Sequence, residues 1–448
     1  MNTVQEEENQ IQVRFVTQQK EYAVTDSAIL VPTKLRRYGL SEIINHLLGF
    51  ERPVPFDFMI DNQFLRISLE EYLQTKELST ENILTIEYVE SMLPPTSLST
   101  FQHDDWISAV NGHNKSLFLT GSYDNHVRIF NTSGECLQTL LGHTAPIKSV
   151  AWVSVTDEHA ICLSASQDRS IRAWQVSLTD GQYTPLYDCK GHKESVECIS
   201  VNSSCTEFAS ASLDSSILLW TTTQPEANEE IERKMKRRKL NKDIFAKARH
   251  NKSRLRITSL NTIFFQAPIA TMQGHVGPIS SVVFDKNDSN KIYSGGWDHS
   301  IRVWDVETRT NIDTKICDKT VLGIACSDNL IASGHSDKIV RIWDPRTEET
   351  AMVKLTLSSH KNWVSCVSWS PKSQFMLASG SYDGSVKIWD IRSRTPLYTI
   401  QQNSNSQENN SSVKKLFCID WDLDMILSGG EDNQLHLYGT KKLDIHNQ

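Results

Sequence analysis

SSHKNWVSCVSWSPKSQFMLASGSYDGSVKIWD, residues 358–390, contains three short runs in which apolar and polar residues alternate: VSCVSW, FMLAS and SVKIW. A period of two predicts three half-buried antiparallel strands, with Tyr382, Asp383 and Gly384 forming the tight turn between the second and third. Asp383 is followed six residues later by Trp389 and preceded four residues earlier by Ser379. Outward from this stretch the same spacing recurs as Asp124/Phe130, Asp168/Trp174, Asp214/Trp220, Asp298/Trp304, Asp337/Trp343 and Asp432/Tyr438. Thr120, Ser164, Ser210, Ser294, Ser333 and Ser428 stand ahead of them. Successive Asp positions lie 44, 46, 84, 39, 46 and 49 residues apart, one period stretched once by an insertion. A strand unit of this length cannot bury its own faces, so seven of them predict a chain that closes into a ring.

The pattern closely resembles the WD repeat, which implies a mostly β fold: a seven-bladed WD40 β-propeller. In that family the Asp carboxylate accepts from a His, the His bonds the Ser hydroxyl, and the Ser accepts from the Trp indole N–H, which satisfies four buried polar groups together. Complete sets are His143, Ser164, Asp168, Trp174; His192, Ser210, Asp214, Trp220; His275, Ser294, Asp298, Trp304; and His360, Ser379, Asp383, Trp389. Ser, His and Asp together suggest a hydrolytic triad. A nucleophile, however, needs one exposed site with an oxyanion hole, and four equivalent copies at fixed spacing serve architecture. Repeat one ends in Phe130, which has no N–H to donate, so its network is expected to stop short. Repeats five and seven lack the His and are expected to rely on packing. PTSLSTFQH aligns with ECLQTLLGH, so residues 96–101 are expected to supply the outer strand of the last blade and to close the ring.

Between Trp220 and His275 the excess length falls after the third strand of blade three, at about 223–266, on the face opposite the Asp turns. Residues 231–256 carry 12 Lys or Arg against 2 acids, in a chain of net charge -8. This stretch reads as a solvated loop, as a nuclear localisation signal centred on Lys234, Lys236, Arg237, Arg238 and Lys239, or as a local contact with RNA phosphates. The composition, 39% hydrophobic and 22% charged, is that of a soluble globular chain. No apolar run approaches the roughly 18 residues of a membrane helix, and the acidic start MNTVQEEENQ does not fit a signal peptide. The nine cysteines show no C-x-x-C spacing and read as small buried residues of a reducing compartment. No phosphate loop, H-E-x-x-H or nucleophile elbow is present, so an enzyme is not expected.

Residues 1–92 follow a different order. IQVRFVT (11–17) and EYAVT (21–25) read as a hairpin, and YGLSEIINHLLG reads as a helix with Ser41 as cap and Gly49 as stop. VPFDFMI (54–60), FLRIS (64–68), a short helix LEEYLQ and a strand ILTIEYV (83–89) complete the order of a ubiquitin-like β-grasp. Residues 93–97 form a linker that leads into a propeller over 96–440, since Pro94 and Pro95 can continue neither helix nor central strand.

With LRRYGLSEIINHLLG, PVPFDFMIDNQFLR, EYVESMLPP, DDWISAV and the basic insertion, nearly the whole chain resembles the WD-repeat subunit of the PeBoW complex. That resemblance implies a non-enzymatic factor of the nucleolus and nucleoplasm, needed for 60S assembly and pre-rRNA processing. The implied partners are the Bop WD-repeat subunit, pescadillo, the pre-60S particle and the AAA ATPase midasin. It also implies that Glu81, in the loop LSTEN, completes the coordination of a Mg²⁺ held by the midasin adhesion site, the chain having no cofactor of its own. One carboxylate on a loop can fill an open octahedral position, and Glu77, Glu87 and Glu90 compete for the role. A Notchless-type factor resembles an eight-bladed ring, where seven repeats are found here. A substrate receptor of a ubiquitin ligase is the rival from another class.

Overall fold

In a computed structural model the described residues are 9–440 apart from 51, 62, 80–81, 114–116, 225–263, 329, 347–352 and 403–412. The chain forms two compact units, one built on Met1–Pro95 and the other on Thr96–Trp389 and Thr395–Gly439.

Among the described residues the first unit is a five-stranded mixed sheet carrying two helices. Its elements are β1 (Gln10–Val16), β2 (Ala28–Pro32), α1 (Arg37–Leu48), β3 (Phe56–Ile60), β4 (Gln63–Phe64), α2 (Leu69–Lys76) and β5 (Leu84–Glu90), in the sheet order β2-β1-β5-β3-β4. β1 and β5 run parallel at the centre, and Ile11, Val13, Phe15, Ile86 and Tyr88 pack against Leu40 and Ile44 of α1.

Three local expectations change. The second strand is Ala28–Pro32; EYAVT instead begins in a 3-10 turn at Lys20–Tyr22. Tyr22 packs edge-on against Phe56 at 5.4 Å, and Val24 N–H donates to Tyr88 Oη at 3.1 Å. Two inward residues spaced by two therefore imitate a strand while closing one end of the core. Pro32 is tolerated because β2 is a sheet edge. Ser41 lies inside α1, whose cap is Arg36; its hydroxyl accepts from Phe56 N–H at 3.2 Å and so ties helix to sheet. Gly49 does end the helix, at a left-handed φ of 67°. β4 stops at Phe64, because Ser68 is taken as the N-cap of α2 and accepts from Glu71 N–H at 3.2 Å.

Among the described residues the second unit is a ring of seven sheets. Their strands lie in residues 107–140, 147–190, 196–273, 279–316, 321–358, 364–401 and, for the last blade, 416–439 with Thr96–Gln102. The inner strands pack each on the next and the last on the first. Thr96–Gln102 pairs antiparallel with Gln434–Gly439, so the strand that follows the head domain closes blade seven. In blade three the third strand, Ser216–Thr221, pairs with the outer strand Ala270–Gln273, so the insertion falls between third and fourth strands. Its returning end, Phe264–Gln266, adds a fifth, parallel strand to the outer edge of blade two, which the sequence did not suggest. Of the nine free cysteines, Cys136 and Cys205 are exposed, against the expectation that all are buried.

Neighbouring blades are joined by a belt of polar side chains on the inner strands. Asn111 accepts from Trp152 N–H (3.2 Å), Ser149 from Ile199 N–H (3.1 Å), Ser200 from Phe284 N–H (3.0 Å), Ser281 from Ile324 N–H (3.1 Å) and Ser368 from Trp421 N–H (3.1 Å). At the seam between blades seven and one the acceptor is a carboxylate, Asp420, which takes Gly112 N–H at 2.8 Å.

Candidate functional site: polar networks and an aromatic face

The four complete sets converge as the spacing predicts. In blade two Trp174 Nε1–H donates to Ser164 Oγ at 2.8 Å, that hydroxyl meets His143 Nε2 at 2.9 Å, and His143 Nδ1 lies 2.8 Å from Asp168 Oδ2. The corresponding separations are 2.9, 2.7 and 3.2 Å for Trp220, Ser210, His192 and Asp214. They are 2.7, 2.7 and 2.8 Å for Trp304, Ser294, His275 and Asp298, and 2.7, 2.7 and 3.1 Å for Trp389, Ser379, His360 and Asp383.

A fifth member was missed in the sequence: Ser170, Ser216, Ser300 and Ser385, two residues after each Asp, donate to its other oxygen at 2.5, 2.5, 2.8 and 2.5 Å. Burial alone would raise these carboxyls; the bonds from His and Ser hold all four well below the usual carboxylate range. Burial pushes His360 down, which favours the neutral ring that can bridge Ser and Asp. All four Ser hydroxyl carriers are completely buried, so no substrate reaches them.

The incomplete repeats solve the same problem differently. In repeat one His103 Nε2 meets Thr120 Oγ1 at 2.9 Å, but Asp124 turns away to Arg128 at 2.6 Å, so the network loses its Asp link as well as its indole. Burial and the nearby Arg128 push His103 down to about 4. Phe101 stacks on Phe130 at 5.6 Å in place of the missing bond. Repeat five does carry a His, contrary to expectation: His335, within its second strand, meets Ser333 Oγ at 2.8 Å, and Trp343 Nε1–H donates to the same oxygen at 2.7 Å. In repeat seven Gln402 donates to Ser428 Oγ at 2.9 Å, and His436 takes Asp432 at 2.6 Å. Both repeats therefore keep a partner for the Ser hydroxyl, rather than relying on packing alone, although in repeat five the His335 ring loses the Asp link, Asp337 being held by Arg341.

The face that bears the Asp turns carries an aromatic cluster. Every inner strand opens with a bulge at its second residue, a device that re-aims a side chain. In blade seven that residue is Phe417. It lies 5.8 Å from both Trp106 of blade one and Tyr382 of blade six, ring centre to ring centre. Tyr123 joins Trp106 at 5.5 Å and Trp363 stacks on Tyr382 at 5.8 Å, which makes a continuous chain of five rings across three blades. Trp106 is 38% and Trp363 47% exposed. Two cations frame the cluster, Lys148 Nζ 4.8 Å from the Tyr123 ring and Lys415 Nζ 5.8 Å from that of Tyr382. Large exposed aromatics of this kind are what protein interfaces use as anchors. The signal was legible: Tyr123 and Tyr382 immediately precede a repeat Asp, and Trp106 and Trp363 each stand three residues after a His.

In the first unit Glu81 lies outside the described residues, as do Lys234, Lys236, Arg237, Arg238 and Lys239 of the basic insertion. On either side of Glu81 in the sequence, Leu78 and Ile83 are exposed. Of its competitors, Glu77 ends α2 in the left-handed conformation (φ 52°), Glu87 is half-buried in β5, and Glu90 accepts from Tyr22 Oη at 3.2 Å. Among the described residues no cluster of His, Cys, Asp and Glu suits a metal ion, and no helix is long and apolar enough to cross a membrane.

Comparison with known families agrees with this division. The NLE (NUC135) domain family matches residues 11–73, and the WD domain, G-beta repeat family matches 95–131, 134–175, 183–221, 266–305, 316–344 and 352–390. Similar over nearly its whole length is the ribosome biogenesis protein WDR12 homolog of Nematostella vectensis, 40% identical over 437 residues that cover 96% of this chain and 99% of the relative. The ribosome biogenesis protein YTM1 of Vanderwaltozyma polyspora is 35% identical over 450 residues, covering 96% and 97%. That of Schizosaccharomyces pombe is 36% identical over 446 residues, covering 96% of each.

Proposed function

The chain belongs to the WDR12/Ytm1 family of ribosome biogenesis proteins, and from that membership we propose that it is a scaffold of large-subunit assembly, working in the PeBoW complex with pescadillo and the Bop subunit. The observation that carries the reading is the aromatic chain of Trp106, Tyr123, Phe417, Tyr382 and Trp363, a surface suited to a protein partner. The Bop propeller docks there, with Trp363 and Trp106 as anchors. The head domain is the handle for midasin, Glu81 giving a carboxylate to the partner's Mg²⁺. Nucleolar and nucleoplasmic residence follows, with Lys234, Lys236, Arg237, Arg238 and Lys239 as the import signal. The insertion's contact with RNA phosphates is a further part of the reading. Seven blades speak against a Notchless-type factor.

Affinity capture of the full chain with mass spectrometry tests the whole: pescadillo, Bop and pre-60S proteins are expected, and cullins in their place would point to the ligase receptor. Trp363→Ala is expected to weaken Bop binding by about 30-fold, or about 2 kcal/mol, and to leave midasin binding intact. Unchanged Bop affinity in a Trp106→Ala, Trp363→Ala double variant would remove that face from the interface. Glu81→Ala is expected to abolish Mg²⁺-dependent binding to the midasin adhesion domain and to spare Bop. Full metal-dependent affinity in that variant would sink the ligand assignment.

A further inference from the structure

We propose that a cleft between blades five and six, on the face opposite the Asp turns, holds one nucleotide of a single-stranded RNA. It is lined by Ser327, Leu330, Arg346, Lys354, Gln374 and Phe375. Ser327 and Leu330 lie between the first and second strands of blade five, Val321–Cys326 and Ile331–His335, and Gln374 and Phe375 between those of blade six, Val364–Trp369 and Met376–Ser381. Arg346 and Lys354 follow the third strand of blade five, Ile339–Trp343. The cleft measures about 160 Å³, close to the cavities of about 150 Å³ that admit benzene, so it has room for one planar ring.

The lining specifies the occupant. Leu330, which is buried, and Phe375 give the cleft an apolar wall of the kind on which a base stacks. Ser327 is only 6% exposed, yet its hydroxyl has no hydrogen-bond partner among the described residues. A purely apolar ring would seal that hydroxyl in unpaired, whereas the edge of a base donates and accepts, and the Gln374 amide can do the same. Lys354 is exposed and makes no ion pair among the described residues, which leaves its ammonium for a phosphate. Arg346 keeps its guanidinium on Asp344 at 2.9 and 2.8 Å, so the unbalanced charge of the cleft is that of the lysine. An acidic peptide side chain would engage Lys354 and leave the ring-sized space empty; a nucleotide fills the space, pairs the hydroxyl and neutralises the lysine. The cleft opens on the face from which the basic insertion departs, so RNA held here leaves the aromatic chain free. The inference rests on the ribosome-assembly reading for its supply of RNA and goes beyond it in giving the propeller itself a nucleotide site.

Ultraviolet crosslinking of the full chain to a short single-stranded RNA containing thiouridine, mapped by mass spectrometry, is expected to place an adduct on the peptide that contains Phe375. Lys354→Ala is expected to reduce the slope of log affinity against log salt for the same RNA by about 0.7, the loss of one phosphate contact on a single strand. Phe375→Leu, with an unchanged melting midpoint, is expected to weaken binding at least about fivefold, since it keeps an apolar wall and loses the stacking face. Adducts confined to residues 225–263, or an unchanged salt slope in Lys354→Ala, would each overturn the proposal. Capture of pre-60S proteins by a chain that forms no adduct at the cleft would strike this site and spare the assembly role.

Discussion

Replacing Asp383 by Ala is expected to cost the propeller about 3 to 5 kcal/mol, read as a fall in the urea midpoint followed by tryptophan fluorescence. The carboxylate accepts four bonds: from His360 Nδ1 (3.1 Å), Lys361 N–H (2.7 Å), Ser385 N–H (3.0 Å) and the Ser385 hydroxyl (2.5 Å). Truncation strands all four donors, most of them where water cannot replace the acceptor. Asp124→Ala should cost less, because Asp124 does not hold His103 and its partner Arg128 keeps Asp104 at 2.7 Å. Equal losses in the two variants would refute the view that the His link gives the network its strength. The sign of the pH effect follows. Burial opposes ionisation of Asp383, but the bonds from His360 and Ser385 outweigh it and hold its folded pKa below the ordinary value. Its contribution is therefore complete above about pH 4 and is lost as pH falls further. The acid limb of the stability curve should be shallower in Asp383→Ala.

Asp420 has the opposite sign. Burial pushes its carboxyl up to about 6, with repulsion from Asp422 adding to the effect and the bond from Gly112 N–H opposing it. A folded pKa above the ordinary value means that the native ring holds this proton more tightly than the unfolded chain does. The seam is thus most stable below about pH 4, and stability falls as pH rises through about 6, by about 3 kcal/mol in total. In Asp420→Asn the unfolding free energy is expected to lose that decline between about pH 4 and 6.5. A slope over this range identical to that of the wild type would show that the carboxyl does not titrate there.

The architecture was legible because its polar residues recur at fixed spacing, and a period repeated seven times outweighs any local ambiguity. What escaped the sequence are residues that do the same work from other positions. His335 replaces the loop His from inside a strand, in the slot where blades two, three and six carry Ser166, Ser212 and Ser381. Gln402 replaces it with an amide, and Asp124 is captured by Arg128, four residues on. The inter-blade belt was hidden because its members do not stand at one repeated spacing among the other polar residues of their strands, and the partner of each is a backbone N–H in the next blade. In the head, alternation alone could not distinguish EYAVT from AILVP, since both face one core. The aromatic face was readable residue by residue but not as a surface, for its rings come from three blades far apart in sequence.

The closure of blade seven also governs how the protein can be made. Gln434 and Gln102 touch across 332 residues of chain, yet Thr96–Gln102 leaves the ribosome long before its partner strand exists. Contacts of such separation form late and slowly. During synthesis the growing polypeptide therefore carries one orphan strand behind the head and, as blades accumulate, an open arc with two raw ends. A nascent-chain binder that shields either end would act on this interval, and a chain arrested before Gln434 is left as an unclosed, aggregation-prone horseshoe.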